Sequence, residues 1–85
     1  MKTHELKTLP EYFEQVWNGN KKFELRKNDR DFQYGDCLIL KEFKDGIFTK
    51  RTATCFISYI LKDLEGIESG YCVLGIRSIY CEINS

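Results

Sequence analysis

Lys21, Glu24 and Arg26 are the residues of this chain whose types and spacing best suit chemistry. They lie in the run Gly19-Asn20-Lys21-Lys22-Phe23-Glu24-Leu25-Arg26, where charged and apolar residues alternate from Lys22 onward. Period-two alternation is the signature of a strand with one buried face. It predicts a strand over Lys21 to Lys27, with Phe23 and Leu25 turned into the core. Lys22, Glu24 and Arg26 would then share the opposite face, with neighbours about 7 Å apart. A carboxylate beside a guanidinium, with an ammonium at the rim, makes a polar hook of one acceptor and a fork of donors. The same residues equally describe an ion pair that helps close a small sheet.

Other chemistries find less support. A Ser-His-Asp or Cys-His arrangement needs the single histidine, His4, and nothing in the sequence orients it. It reads as an exposed or strand-end residue with no partner. The cysteines at 37, 55, 72 and 81 form no C-x-x-C pair, and zinc sites need closer ligand pairs, so no metal is expected. Cys37, Cys55 and Cys72 sit in apolar strand patterns and read as small buried hydrophobes. The six glycines are scattered and build no phosphate-cradling loop. Thirteen Lys and Arg balance thirteen Asp and Glu, for a net charge of zero. A protein living on non-specific phosphate contacts is basic overall, so nucleic-acid or nucleotide recognition here must be local. The sequence shows no signal-peptide pattern and no apolar run near eighteen residues. The expectation is a cytoplasmic protein with reduced thiols and no membrane partner.

The elements that must position the hook follow in order. Eighty-five residues suit one domain spanning 1–85, and twelve aromatics supply core material. His4 to Lys7 suit a short first strand. Thr8 to Gly19 read as the main helix, opened by a Thr8-x-x-Glu11 capping box with Pro10 in the first turn. Tyr12, Phe13, Val16 and Trp17 form its apolar stripe, and Asn18-Gly19 stop it. Tyr12 stands apart, because its hydroxyl must reach water or a partner. Asn28 to Asp31 form a loop pinned by Phe32. Tyr34-Gly35-Asp36 open a strand, Asp36 to Phe43, with Leu38 and Leu40 on one face. Asp45-Gly46 suit a type I′ hairpin turn, with Phe43 and Phe48 paired across it. Phe48 to Leu61 form a long, bent or bulged strand with Ala53, Cys55, Ile57 and Tyr59 on one side. Lys62 to Gly70 form a loop. Tyr71 to Ile79 close the sheet, with Gly75 at a bend or close approach.

The motif Gly19-x-Lys21-x-x-Glu24-x-Arg26 resembles the GxKxxExR signature of ASCH domains, members of the PUA-like superfamily of small β-barrels. With Pro10 to Glu14 before it, and Arg26 to Phe32 and Gly35-Asp36 after it, the chain is similar to the subgroup named for a domain of unknown function, DUF3850. The resemblance implies an α+β fold, a PUA-like mixed β-barrel with one main helix near the N-terminus. It further implies RNA or nucleotide binding in a polar cleft between helix and barrel, without a cofactor. The residues it points to are Tyr12, Lys21, Glu24, Arg26, Lys27, Asp29 and Arg30. Some ASCH-domain proteins are amidohydrolases acting on modified nucleosides, and they use the motif lysine, a threonine and a distant glutamate. This chain keeps Lys21 but has Glu24 at the threonine position, and a carboxylate is a poor nucleophile toward an amide. The expectation therefore leans away from an enzyme. In a hydrolase, Lys21 and Glu24 would be the catalytic residues, with Glu24 as general base. A protein-interaction module is the third reading.

Overall fold

A computed structural model describes residues 1–84. Strand β1 (Thr3–Thr8) leads into helix α1 (Pro10–Trp17). Four further strands follow: β2 (Phe23–Lys27), β3 (Cys37–Lys44), β4 (Ile47–Lys62) and β5 (Tyr71–Ile83). They form one five-stranded sheet in the order β1-β3-β4-β5-β2. Strand β1 runs parallel to β3, and the other pairings are antiparallel. The sheet curls into a half-barrel with one short helix.

One face of every strand lines the interior of the curl. Leu6, Leu38, Leu40, Ala53, Cys55, Ile57, Cys72, Leu74 and Ile76 meet Phe13 and Val16 of the helix and Phe32 of the following loop. Burial of about 25 cal/mol per Å² of apolar surface drives this packing. The same interior holds charged groups at its ends: His4, Glu24, Asp36 and Glu42 are each at most 7% exposed. Among the described residues, no buried side-chain nitrogen or oxygen lacks a partner, so these charges are compensated rather than stranded.

Local chemistry explains the punctuation. Asp45 (φ 52°) and Gly46 (φ 84°) make the left-handed pair that a two-residue hairpin needs, and Phe43 meets Phe48 at 5.0 Å between ring centroids. The β4–β5 ladder shifts register between Ile57 and Tyr59. Past that bulge the phase of β4 inverts. Ile60 packs on the core, and Tyr59 is exposed rather than sharing the face of Ala53, Cys55 and Ile57. Gly75 faces the bulge, where a Cβ would lie 3.2 Å from Tyr59 Cβ and 3.3 Å from Ser58 Oγ. Strand β5 runs on to Ile83, beyond the expected end at Ile79.

The helix is shorter than the sequence pattern predicts, and its cap differs. Leu9 occupies the N-cap position without a side-chain hydrogen bond, and Pro10 begins the helix. Thr8 is the last residue of β1, buried, with its hydroxyl donating to the Leu6 carbonyl and accepting from Arg26. The capping box does not form, because β1 pairing with β3 holds Thr8 opposite Glu42 and fixes its backbone as strand.

Candidate functional site

The two edge strands, β1 and β2, approach each other at the open side of the half-barrel without pairing. Guanidinium groups bridge the seam. Arg26 Nη1 donates to the Lys7 carbonyl (3.1 Å) and Nη2 to Thr8 Oγ1 (3.1 Å). Arg30 Nη1 donates to the Glu5 carbonyl (3.0 Å). Glu5 and Lys7 lie two apart on β1, so two arginines satisfy alternate carbonyls along an edge that lacks a strand partner.

The triad of Lys21, Glu24 and Arg26 lies on this seam. Strand β2 pairs with β5 so that Glu24 stands opposite Leu74, on the buried face. This reverses the expected phase: Glu24 is 3% exposed, while Phe23 and Leu25 are 52% and 59% exposed. Alternation marks two faces without saying which is inner, and the β5 register chooses. Burial of the carboxylate is tolerated because Lys21 Nζ donates to Oε1 (2.6 Å) and Arg26 Nε to Oε2 (3.0 Å). Lys21 is positioned by the turn after α1. There Gly19 adopts φ 83°, and the N–H groups of Asn20 and Lys21 both donate to the Gln15 carbonyl. The Lys21 ammonium lies 5.7 Å from the Tyr12 ring centroid and 5.4 Å from that of Phe23.

The two oxygens of one carboxylate thus meet two cations, leaving the triad with one net positive charge. Arginine carries five N–H donors, and the bonds to Glu24, Lys7 and Thr8 occupy three of them. Lysine carries three donors, of which one reaches Glu24. The triad is therefore both an internal ion pair and a source of spare donors for a ligand's oxygens.

A cavity of about 580 Å³ opens beside the triad, within the usual range for small-molecule sites. Tyr12, Lys21, Glu24 and Arg26 line it, as do Lys7, Thr8, Leu9, Phe23 and Leu25. A second cavity of about 130 Å³ shares Arg26 and is lined by Lys27, Asp29, Arg30, Leu6 and Phe32. The seven residues indicated by the sequence thus distribute over two adjoining cavities. Phe23 and Leu25, expected in the core, instead wall the larger one. Thr8 and Lys7 carried no sequence signal for this place, because their position depends on β1 lying across from β2.

Two further charged clusters lie elsewhere. His4, expected without a partner, is buried, with its ring edge-on to Phe32 at 4.8 Å and Nε2 2.9 Å from Asp36 Oδ2. Asp36 also accepts the backbone N–H groups of Lys2 (Oδ1, 3.0 Å) and Gln33 (Oδ2, 3.1 Å). The His4 hydrogen bond, followed by these N–H groups, lowers the Asp36 carboxyl from 3.8 to about 2. Register supplies the partner that the residue order hides: β1 sets His4 beside Leu38, two residues along from Asp36. In the second cluster, Arg51 grips Glu42 through Nε (2.8 Å) and Nη2 (2.7 Å) and reaches Glu14 of the helix (3.0 Å). Its guanidinium lies over Trp17 (4.8 Å) and Phe13 (5.2 Å), fastening helix to sheet. The hydrogen bonds that Arg51 donates to Glu42 lower the Glu42 carboxyl and raise Arg51.

All four cysteines are free thiols. Cys55 and Cys72 are buried, and Cys37, expected to be buried, is only partly so. It alternates with Leu38 and points away from the interior. Among the described residues, no cluster of His, Cys, Asp and Glu is placed to hold a metal. No helix of the described residues is long and apolar enough to cross a membrane.

The chain is 48% identical over 50 residues to an uncharacterized 12.9 kDa protein in the GpA 3' region of Escherichia phage P2. That match takes in 59% of this chain and 46% of the phage protein, so the chain spans less than half of its relative. The profile of a domain of unknown function, DUF3850, matches residues 3–76, which include β1, α1, β2, β3, β4, both cavities and the triad. On that match over most of its length, the chain belongs to the DUF3850 family.

Proposed function

We propose that this chain is an RNA- or nucleotide-binding module of the ASCH type, within the PUA-like superfamily, and that its ligand occupies the larger cavity. One observation carries the reading. Two half-exposed aromatic rings, Tyr12 and Phe23, flank a cavity whose charged wall is the Lys21–Glu24–Arg26 triad with donors to spare. A planar base stacks on aromatic rings whatever its identity. Its oxygens, or those of the sugar-phosphate, then find the free N–H groups of Arg26 and Lys21. The curled sheet and single helix are consistent with a small barrel-like fold. Fold alone implies no ligand, so the argument rests on the cavity.

The test is a heteronuclear NMR titration with nucleosides, nucleotides and short single- and double-stranded RNAs. Shifts are expected on residues 7–12 and 21–27. Tyr12→Ala and Phe23→Ala remove exposed rings and leave the buried triad intact. Base stacking contributes about 1–3 kcal/mol per base, so each variant should bind about 5- to 150-fold more weakly. Unmoved cavity resonances with every ligand would return the triad to a purely structural role. The 2.6 Å Lys21–Glu24 contact keeps the hydrolase as a second reading. Consumption of an N-acylated nucleoside during the titration, abolished in Glu24→Gln, would establish it.

A further inference from the structure

The smaller cavity shares Arg26 with the larger one and differs from it in character. Its charged lining is Arg26, Lys27 and Arg30 against Asp29 alone. Taken together, the two cavities are lined by five cations, the others being Lys7 and Lys21, against two carboxylates, Glu24 and Asp29. That leaves a local charge of +3 on a chain whose net charge is zero.

Arg30 is also held in position. Its Nη1 donates to the Glu5 carbonyl at 3.0 Å, while its Nε stays 3.9 Å from Asp29 Oδ1, beyond a direct hydrogen bond. One of its five donors is thus spent on orientation, and the side chain remains about half exposed. Buried Phe32 forms part of the wall behind it. A guanidinium anchored by a main-chain carbonyl loses less freedom when it binds an oxyanion. A volume of about 130 Å³ holds several waters and leaves room for a phosphoryl group.

We infer that the two cavities form one bipartite site, in which the smaller is a phosphate subsite built from Arg26, Lys27 and Arg30. The ligand is then a phosphorylated nucleotide, free or within an RNA strand, and not a free nucleoside. This rests on the reading of the larger cavity as a nucleotide site. Arg26 is the hinge of the arrangement, because it borders both cavities and is fixed by Glu24, Lys7 and Thr8.

The test compares dissociation constants for the four common ribonucleosides and their 3′- and 5′-monophosphates at low salt. They are measured on the wild-type chain, Arg30→Gln and Lys27→Gln/Arg30→Gln. These side chains belong to the rim, and an amide-region NMR spectrum confirms that each variant is folded. At least one monophosphate isomer should bind ten or more times tighter than its nucleoside. Arg30→Gln should remove most of that advantage and leave nucleoside affinity unchanged. Equal affinity for nucleosides and monophosphates would overturn the subsite while leaving the nucleotide-base reading standing. A phosphate advantage that survives in the double variant would overturn it too, by showing that Lys27 and Arg30 do not hold the phosphate. If nucleosides, monophosphates and the short RNAs of the titration all fail to bind, both readings fall together.

Discussion

Asp36→Asn is expected to destabilise the fold far more than its near-isosteric shape suggests. Each carboxylate oxygen of Asp36 accepts a backbone N–H, that of Lys2 on Oδ1 and that of Gln33 on Oδ2. An asparagine has one carbonyl oxygen and one amide nitrogen, so either orientation sets an –NH₂ against a backbone donor. One main-chain N–H is orphaned in a site only 2% exposed, at a cost of about 1–3 kcal/mol. The bond from His4 (2.9 Å) also loses its charge assistance. The sum is about 2–4 kcal/mol, or a fall in Tm of roughly 10–25 °C for a domain of this size. Thermal unfolding by circular dichroism measures it. Acid titration supplies an independent check of sign. Asp36 is depressed in the folded state, so its contribution is present above 3.8 and is lost as pH falls from there through about 2. A shift from 3.8 to about 2 corresponds to at most ~2.5 kcal/mol, and to on the order of 1–2 after screening near the surface. The wild-type chain should therefore lose this stability between about pH 4 and pH 2, and Asp36→Asn should not. A variant within about 0.5 kcal/mol of wild type, or one with an unchanged acid profile, would refute the argument.

Arg26→Lys is expected to cost about 1–3 kcal/mol in urea denaturation, because an ammonium cannot span Glu24, the Lys7 carbonyl and Thr8 together. Gly75→Ala should lower Tm by several degrees. Its Cβ would press Tyr59 Cβ at 3.2 Å, and overpacking of this kind costs about 1–3 kcal/mol. Burial pushes the Cys55 thiol up to about 11 and raises Cys72 as well. In thiol labelling at pH 8, Cys37 should be modified in the folded chain, while Cys55 and Cys72 should react only on unfolding.

The elements set by local interactions were legible in the residue order. Asp45-Gly46 specified a hairpin that also dictated the Phe43–Phe48 contact. Pro10 and Gly19 bracketed the helix, and Leu38 and Leu40 marked an inward face. Phe32 was legible as an anchor from its place in a charged loop. The candidate site was legible as a set of residues, because Lys21, Glu24 and Arg26 are close along the chain. Its shape was not. Thr8 looked like a cap because its neighbours satisfy a capping box, yet a parallel partner thirty-four positions away claims its backbone. Tyr59 left its expected face because a bulge at Ser58 adds one residue to the count, and no local composition announces that step.

What the sequence determined by itself is whatever neighbours in the chain can enforce: the turns, the helix, the alternation of strands and the grouping of charge between Lys21 and Arg30. What the tertiary structure decided is which way those elements face. Strand β2 could have turned Phe23 and Leu25 inward, but pairing with β5 set Glu24 opposite Leu74 and buried the carboxylate between two cations. That choice freed two apolar side chains to wall a cavity and sent Arg26 across to β1. The pairing of His4 with Asp36, and of Arg51 with Glu14 and Glu42, was decided in the same way. The reach of Arg26 to β1, of His4 to Asp36 and of Arg51 to Glu14 joins residues distant in the chain. The charge compensation that makes them favourable exists only once the sheet has curled and brought the partners within reach.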